Sequence, residues 1–199
     1  MDKTALVEPE LDKPGAGVPA IERLVGKWRV KMSARMGGKA GADAAMEAER
    51  VGIRALYEPL SAETSGRRVL IPRLRGLEDS SRYWSVWMVL DHLRIVNEQI
   101  AMIISLLGRD RTPEGKASTA TVKPAIEVDG SVVGRYEKSC DQVLRAAAGA
   151  PSLRSRARYA HPWFGPLSGA EWHTMAGMHM GIHRAQIEAI LEYQRVEQS

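Results

Sequence analysis

The last part of the sequence, from residue 168 onward, contains a well-defined helix start and no proline. Ser168 and Glu171 have the spacing of a capping box, in which each residue's side chain accepts a hydrogen bond from the other's backbone amide. Leu167 and Trp172 flank the cap and can form the accompanying hydrophobic staple. Because proline is the strongest breaker of a helix interior, its absence here predicts one long helix toward the C-terminus.

Three further stretches have apolar residues at helical spacing: about Ala44 to Tyr57, Ser85 (as the N-cap) to Leu107, and Val132 to Ala148. The first is predicted to resume after Pro59, with Ser61 capping a new helix toward Leu70. The stretch from 108 to 130 is predicted to be a loop with room for a short strand or two. Four long helices with a long middle connection indicate an all-α fold, a four-helix bundle.

The N-terminal region differs in composition from the rest of the chain. Residues 1–19 are rich in proline, glycine and acidic side chains and predict an irregular arm. Apolar residues then recur at helical spacing from Ile21 to Met32, and glycines at 37, 38 and 41 follow. We therefore divide the chain into residues 1–41, an arm with a short amphipathic helix, and residues 42–199, the bundle.

Composition excludes several classes of protein. The single cysteine, Cys140, allows neither an internal disulfide framework nor a cysteine-based zinc site. No apolar run approaches the roughly 20 residues that a membrane span needs. Residues 1–20 carry acidic side chains without an apolar core, unlike a secretory signal, so a cytoplasmic location is expected.

Residues 23–39 contain six basic and no acidic side chains. Such a stripe could contact nucleic acid or anionic lipid, but a solvated helix face is the favoured interpretation, with neither nucleic acid nor membrane as a partner. The apolar side chains of residues 21–36 must also be buried somewhere. Packing on the bundle and formation of a homodimer are equally open.

Three of the five histidines form a candidate metal site. His179 and His183 lie four residues apart in the last helix, about 40° apart on one face at about 100° per residue. His92 lies in another long helix and can supply a third ligand. Imidazole nitrogens suit zinc, nickel, copper or iron(II), and the sequence does not rank these ions. The alternative is that His179 and His183 share a solvated helix face and that His92 is a core histidine, with no metal bound.

Two nearby features favour the metal site. Gly177 and Gly181 lie four apart and weaken the helix, so close approach of another group is expected there. Gln186, three residues beyond His183, can form a hydrogen bond to that ligand from behind. His173 is rotated well away from the ligand face and is predicted to be a surface or packing residue.

Three motifs occur in this order along the chain: Trp84-Ser85 followed by His92-Leu93, then His161-Pro-Trp-Phe-Gly165, and finally the closing stretch His179-Met-Gly-Ile-His-Arg-Ala-Gln-Ile187. Together they form a resemblance to the DinB-like (YfiT-like) superfamily of metal-dependent proteins, and the second motif is similar to a branch described as a domain of unknown function. The resemblance covers about residues 42–193. It implies a DinB-type bundle with one divalent ion held by His92, His179 and His183.

The resemblance also implies a class of activity. Characterised members of the superfamily include low-molecular-weight-thiol S-transferases and thiol-dependent isomerases, so a thiol S-transferase or a hydrolase acting on a small molecule is expected. The candidates for proton transfer or substrate orientation are His161, Asp91 and Tyr159. The alternative is a non-catalytic, dimeric helical stress or binding module with a structural or vestigial metal site.

Overall fold

A computed structural model describes residues 8–196; residues 1–7 of the predicted arm, and 197–199, lie outside the described residues. The helices are α1 (Ala20–Tyr57), α2 (Ala62–Gly66), α3 (Val86–Leu107), α4 (Val132–Gly149) and α5 (Gly169–Val196). The strands are β1 (Val69–Leu70), β2 (Tyr83–Trp84), β3 (Tyr159–His161) and β4 (Gly165–Leu167). The predicted four-helix bundle is confirmed: α5 packs against α1 and α3, and α3 packs against α4.

The predicted starts of α3 and α5 are formed as the sequence indicates. Ser85 Oγ accepts a hydrogen bond from Met88 N at 3.2 Å, which caps α3. The capping box of α5 is complete, because Ser168 N donates to Glu171 Oε2 at 2.7 Å and Glu171 N donates to Ser168 Oγ at 3.3 Å. These caps satisfy amides that have no partner within their own helix.

We expect Ser168→Ala to lower the free energy of unfolding by about 1 kcal/mol, because it removes the oxygen that caps α5. Urea unfolding of the two proteins measures this difference. The affinity for metal should not change, because the cap lies about three turns before His179. An unaltered unfolding midpoint would show that the capping box does not contribute to stability.

The first helix differs most from prediction. It begins at Ala20 rather than near residue 44, and its two halves meet at Gly38, which has φ 56° and ψ −155°. Glycine has no Cβ and adopts this left-handed backbone without strain, so the chain kinks there without ending the helical region.

The segment after Ser61 is wrong in detail, and the loop predicted over residues 108–130 is confirmed without the strands for which it had room. Ser61 caps α2 as expected, but that helix ends at Gly66, and Val69–Leu70 pairs instead with Tyr83–Trp84 as an antiparallel strand. Within residues 108–130 the structure has no strand, only a short 3-10 helix at Thr119–Val122. The other strand pair, β3 with β4, lies just before α5 and presents His161.

The predicted close approach at the α5 glycines is to helix α1. A Cβ on Gly177 would lie 3.1 Å from Met46 N, and one on Gly181 would lie 3.3 Å from Glu49 Oε1. The two glycines therefore allow α1 and α5 to pack closely. Among the described residues, no helix combines the length and the apolar character needed to cross a membrane.

Candidate metal centre

Three histidines from two helices meet inside the bundle. His92 of α3 and His183 of α5 are buried, with 6% and 4% of their surfaces exposed, and His179 is partly buried. One nitrogen from each ring lies within 4.8 Å of the others, and the Nε2 atoms of His92 and His179 are 3.2 Å apart. The α5 pair therefore faces the α3 histidine, as the helical spacing requires.

A backbone carbonyl fixes the tautomer of His92. Its Nδ1 lies 2.6 Å from the carbonyl oxygen of Val122. A carbonyl only accepts hydrogen bonds, so Nδ1 carries the proton and Nε2 presents a free lone pair. Because that atom has no proton, His179 must donate the Nε2–Nε2 hydrogen bond in the metal-free chain.

The carbonyl of Ser81 fixes the tautomer of His183 through Gln186. Gln186 Nε2 donates to the carbonyl of Ser81 at 2.7 Å, so the amide oxygen of Gln186 points the other way. That oxygen lies 2.6 Å from His183 Nδ1, which therefore carries the proton. Nε2 of His183 is left with a lone pair, and the Trp84 ring stacks beside the imidazole at 6.2 Å between centroids.

The surroundings keep all three imidazoles neutral. Burial lowers the pKa of His92, His179 and His183 well below the usual 6.5, and repulsion from a neighbouring histidine of the cluster lowers each of them further. Neutral imidazole is the form that binds metal ions, so the site does not have to lose protons at neutral pH to accept one.

The donor set fits a divalent transition metal. Two imidazole nitrogens bound at 2.0–2.1 Å to a tetrahedral zinc ion would lie about 3.3 Å apart, close to the 3.2 Å between His92 and His179. His179 Nδ1 is buried without a hydrogen-bond partner among residues 8–196, so this ring is free to carry its proton on Nδ1 when Nε2 binds an ion. Three histidines in this arrangement could therefore hold one metal ion.

His161 lies close to this cluster, where its charge would oppose protonation of His179. Its ring stacks on Phe164 with centroids 4.5 Å apart, and its Nδ1 accepts a hydrogen bond from Trp163 N at 3.1 Å. The proton of the neutral ring is therefore on Nε2. Burial lowers the pKa of His161 to about 4, so at neutral pH this residue is a hydrogen-bond donor and not an acid.

The structure gives the other candidate residues different surroundings. Both carboxylate oxygens of Asp91 are engaged, one by Arg94 at 3.0 Å and one by the amide of Ala125 at 3.2 Å. Tyr159 is buried beside Trp172, whose indole donates to the Tyr159 carbonyl at 3.3 Å. Asp91 therefore holds the chain after residue 122, and Tyr159 helps to fix the strand that carries His161.

His173 is a packing residue and not a surface residue. It is fully buried where α5 meets α1, with Nε2 3.1 Å from Asp43 Oδ1. It lies off the ligand face, as the helical spacing predicted, and it is not a member of the metal cluster.

The sequence gives no sign of the groups that orient the three histidines. The carbonyls of Ser81 and Val122 are contributed by two loops, and no side-chain pattern marks a carbonyl as a partner of a histidine. Lys123 and Glu78 join these loops at 2.9 Å and are equally unmarked in the sequence. In the sequence, a lysine next to a proline gives no sign that its side chain is buried and joins two loops.

Neither a protein-family model nor a curated protein matches the sequence. A solved structure described as TT2238, a four-helix bundle protein, is similar with a TM-score of 0.56 and 19% identity, and the match covers 76% of this chain and 98% of that one. At this level of identity the likeness shows the fold alone. It agrees with the bundle of α1, α3, α4 and α5.

Proposed function

We propose that this protein binds one divalent metal ion through His92, His179 and His183 and uses it as a DinB-like, metal-dependent enzyme. The observation that carries the proposal is the fixed tautomer of two buried imidazoles, each with its lone pair directed into the cluster. Hydrogen bonds of this kind to the second ring nitrogen are the usual support of metal-binding histidines.

Three protein ligands indicate a catalytic rather than a structural site, because structural zinc sites use four. When bound, the ion supplies Lewis-acid chemistry at an open coordination position. The chain itself provides His161, whose Nε2–H can donate to a substrate oxygen or sulfur and orient it beside His179. The motif resemblance supports a low-molecular-weight thiol as substrate, in an S-transferase or a hydrolase reaction.

Elemental analysis of the purified protein and titration of the metal-free protein with Zn²⁺, Ni²⁺, Fe²⁺ and Co²⁺ test the metal site. We expect one ion per chain. A protein that neither retains nor takes up any of these ions would contradict the proposal.

The catalytic interpretation has its own test, because the alternative is a non-catalytic module with a structural or vestigial metal. The cobalt-loaded protein should change its visible spectrum when a small thiol is added, since an open position admits a ligand. A spectrum unaffected by millimolar thiol would favour the non-catalytic module.

We further propose that a second copy of the chain covers the apolar face of α1. Val30 and Ala34 face the bundle and are buried. The opposite side of the helix exposes five large apolar side chains, those of Ile21, Leu24, Val25, Trp28 and Met36, and Trp28 is 63% exposed. Packing on the bundle therefore accounts for one face of this helix only. An exposed apolar face of this kind is typical of an interface.

Replacing Trp28 by aspartate should shift the protein from dimer to monomer in sedimentation velocity experiments. The basic residues beside the face repel each other between copies, so salt should strengthen the wild-type dimer by screening. Met102→Asp, at an exposed apolar residue of α3, is the control and should leave the dimer intact. A monomeric wild-type protein at micromolar concentration would refute the dimer.

A further inference from the structure

The two carbonyls that orient the histidines belong to separate loops. Ser81 ends a 3-10 turn before β2, and Val122 ends the 3-10 helix that precedes Lys123. Neither carbonyl lies within α3 or α5, which carry the histidines. The geometry of the site therefore depends on how these two loops are held against each other.

One ammonium group joins the two loops. Lys123 Nζ donates to Glu78 Oε2 at 2.9 Å, to Ser80 Oγ at 2.8 Å and to Ser81 Oγ at 2.8 Å, which uses all three of its donors. The other carboxylate oxygen of Glu78 accepts from Thr119 Oγ1 at 2.8 Å. The bond to Ser81 reaches the residue whose carbonyl fixes Gln186.

The pair is buried beside the site. The side chain of Lys123 is 19% exposed and that of Glu78 is 5% exposed. The ammonium lies 5.3 Å from the ring centroid of Trp84, which itself contacts His92 at 5.2 Å and stacks on His183. This tryptophan therefore separates the ion pair from the imidazoles.

We propose that Lys123, held by Glu78, is a positioning residue that sets the metal affinity of the three-histidine site by fixing the Ser81 and Val122 carbonyls. This inference rests on the metal-binding function proposed above. A buried ion pair adds little net stability, because desolvation offsets much of the attraction between the charges. What it does provide is a fixed distance between the loops, since every donor is engaged in a definite direction.

The test compares Lys123→Met with wild type in Co²⁺ titrations of the metal-free protein against a competing chelator. Methionine keeps the length of the side chain and removes all three donors. We expect the cobalt dissociation constant to rise about 10–100-fold, the range seen when partners of metal ligands are lost. The visible bands of tetrahedral cobalt should weaken as well, and Lys123→Arg should restore part of the affinity because it keeps charge and donors.

Arg50→Met is the matched control. Arg50, 14% exposed, forms one ion pair with Glu137, 18% exposed, and another with the more exposed Asp141, and both link α1 to α4 rather than the two loops that orient the histidines. We expect this variant to lose thermal stability but to keep its cobalt affinity within twofold of wild type. A merely structural role of Lys123 would instead make the two variants behave alike.

Glu78→Gln provides a second variant in case Lys123→Met does not fold, because it keeps the shape and removes the charge. Its cobalt affinity should fall in the same direction, by a smaller factor. Wild-type affinity in whichever of these two variants folds, or equal losses in Arg50→Met, would overturn the inference while leaving the metal site standing. Failure of the wild type to bind cobalt would contradict the proposed function itself, so the two failures are distinguishable.

Discussion

Substituting alanine for His92, His179 or His183 is expected to reduce the metal content of the purified protein from about one ion per chain to near zero. Each of the three imidazoles offers one nitrogen, and these nitrogens lie within 4.8 Å of one another. Removing any one ring therefore leaves only two nitrogens to bind the ion. A two-ligand site loses most of the affinity of a transition-metal centre, because the missing bond must be replaced by water.

The same variants should lose the stabilisation that metal provides. An ion at 100 times its dissociation constant stabilises a folded protein by about 2.7 kcal/mol. For a chain of this length that corresponds to an increase in melting temperature of roughly 5–10 °C. Melting curves with and without zinc should show this increase in wild type and no increase in the three variants.

His173→Ala is the control for burial. This histidine is fully buried but lies outside the cluster, so its loss should lower the melting temperature by removing packing. It should nevertheless retain one ion per chain and the full response to zinc. If His173→Ala loses metal to the same extent as His179→Ala, or if all four variants keep it, the three-histidine site is wrong and the enzyme proposal falls with it.

The features that sequence predicted well depend on local spacing. The capping box of Ser168 and Glu171 needs only residues three apart, and it is formed. The helical angle that placed His179 and His183 on one face, and His173 off it, is likewise a property of a single helix. Adding His92 of α3 to this pair required one assumption, namely that α3 packs against α5.

What sequence could not predict depends on tertiary contacts. The glycines at 37, 38 and 41 suggested a break between two segments, because glycine is a poor helix former. Packing of both halves of α1 on the bundle, through Val30 and Met46, instead keeps the region helical with a kink at Gly38. The start of α2 at Ser61 was predicted correctly, but the helix is shorter than predicted because Val69–Leu70 pairs with β2 as a strand.

The site shows the same division between local and tertiary information. Histidine positions are visible in the sequence, but the hydrogen bonds that select their tautomers come from the Val122 and Ser81 carbonyls, which are distant along the chain. Asp91 adjoins His92 in sequence and is a candidate for proton transfer or substrate orientation, and its two carboxylate oxygens are engaged by Arg94 and by a loop amide. Adjacency along a helix does not place two side chains on the same face.

Metal-free protein is expected to lose unfolding free energy as the pH falls from 7.5 to 5.5. In the folded chain the pKa values of His92, His179 and His183 are held well below 6.5 by burial, so these rings stay neutral. In the unfolded chain each takes up a proton below its ordinary pKa of about 6.5. Stability from a depressed histidine is therefore present above pH 6.5 and lost below it.

The magnitude follows from linkage between proton binding and folding. One histidine that is protonated only when unfolded contributes about 1.4 kcal/mol per pH unit below its unfolded pKa, and the three histidines of the cluster contribute in the same direction. His161, with its pKa lowered to about 4 by burial, adds to the loss in the same direction. Urea unfolding at a series of pH values measures the effect as a midpoint that falls steeply below pH 6.5.

Two comparisons separate this effect from general acid denaturation. His92→Gln removes one of the titrating groups, so the number of protons taken up on unfolding near pH 5.5 should decrease by about one. Saturating zinc should move the acid transition of wild type to lower pH, because bound ligands cannot be protonated without releasing the ion. A stability that stays constant from pH 7.5 to 5.5 without metal would mean that the three imidazoles are not held neutral, and that the cluster is open to water rather than buried as a metal site.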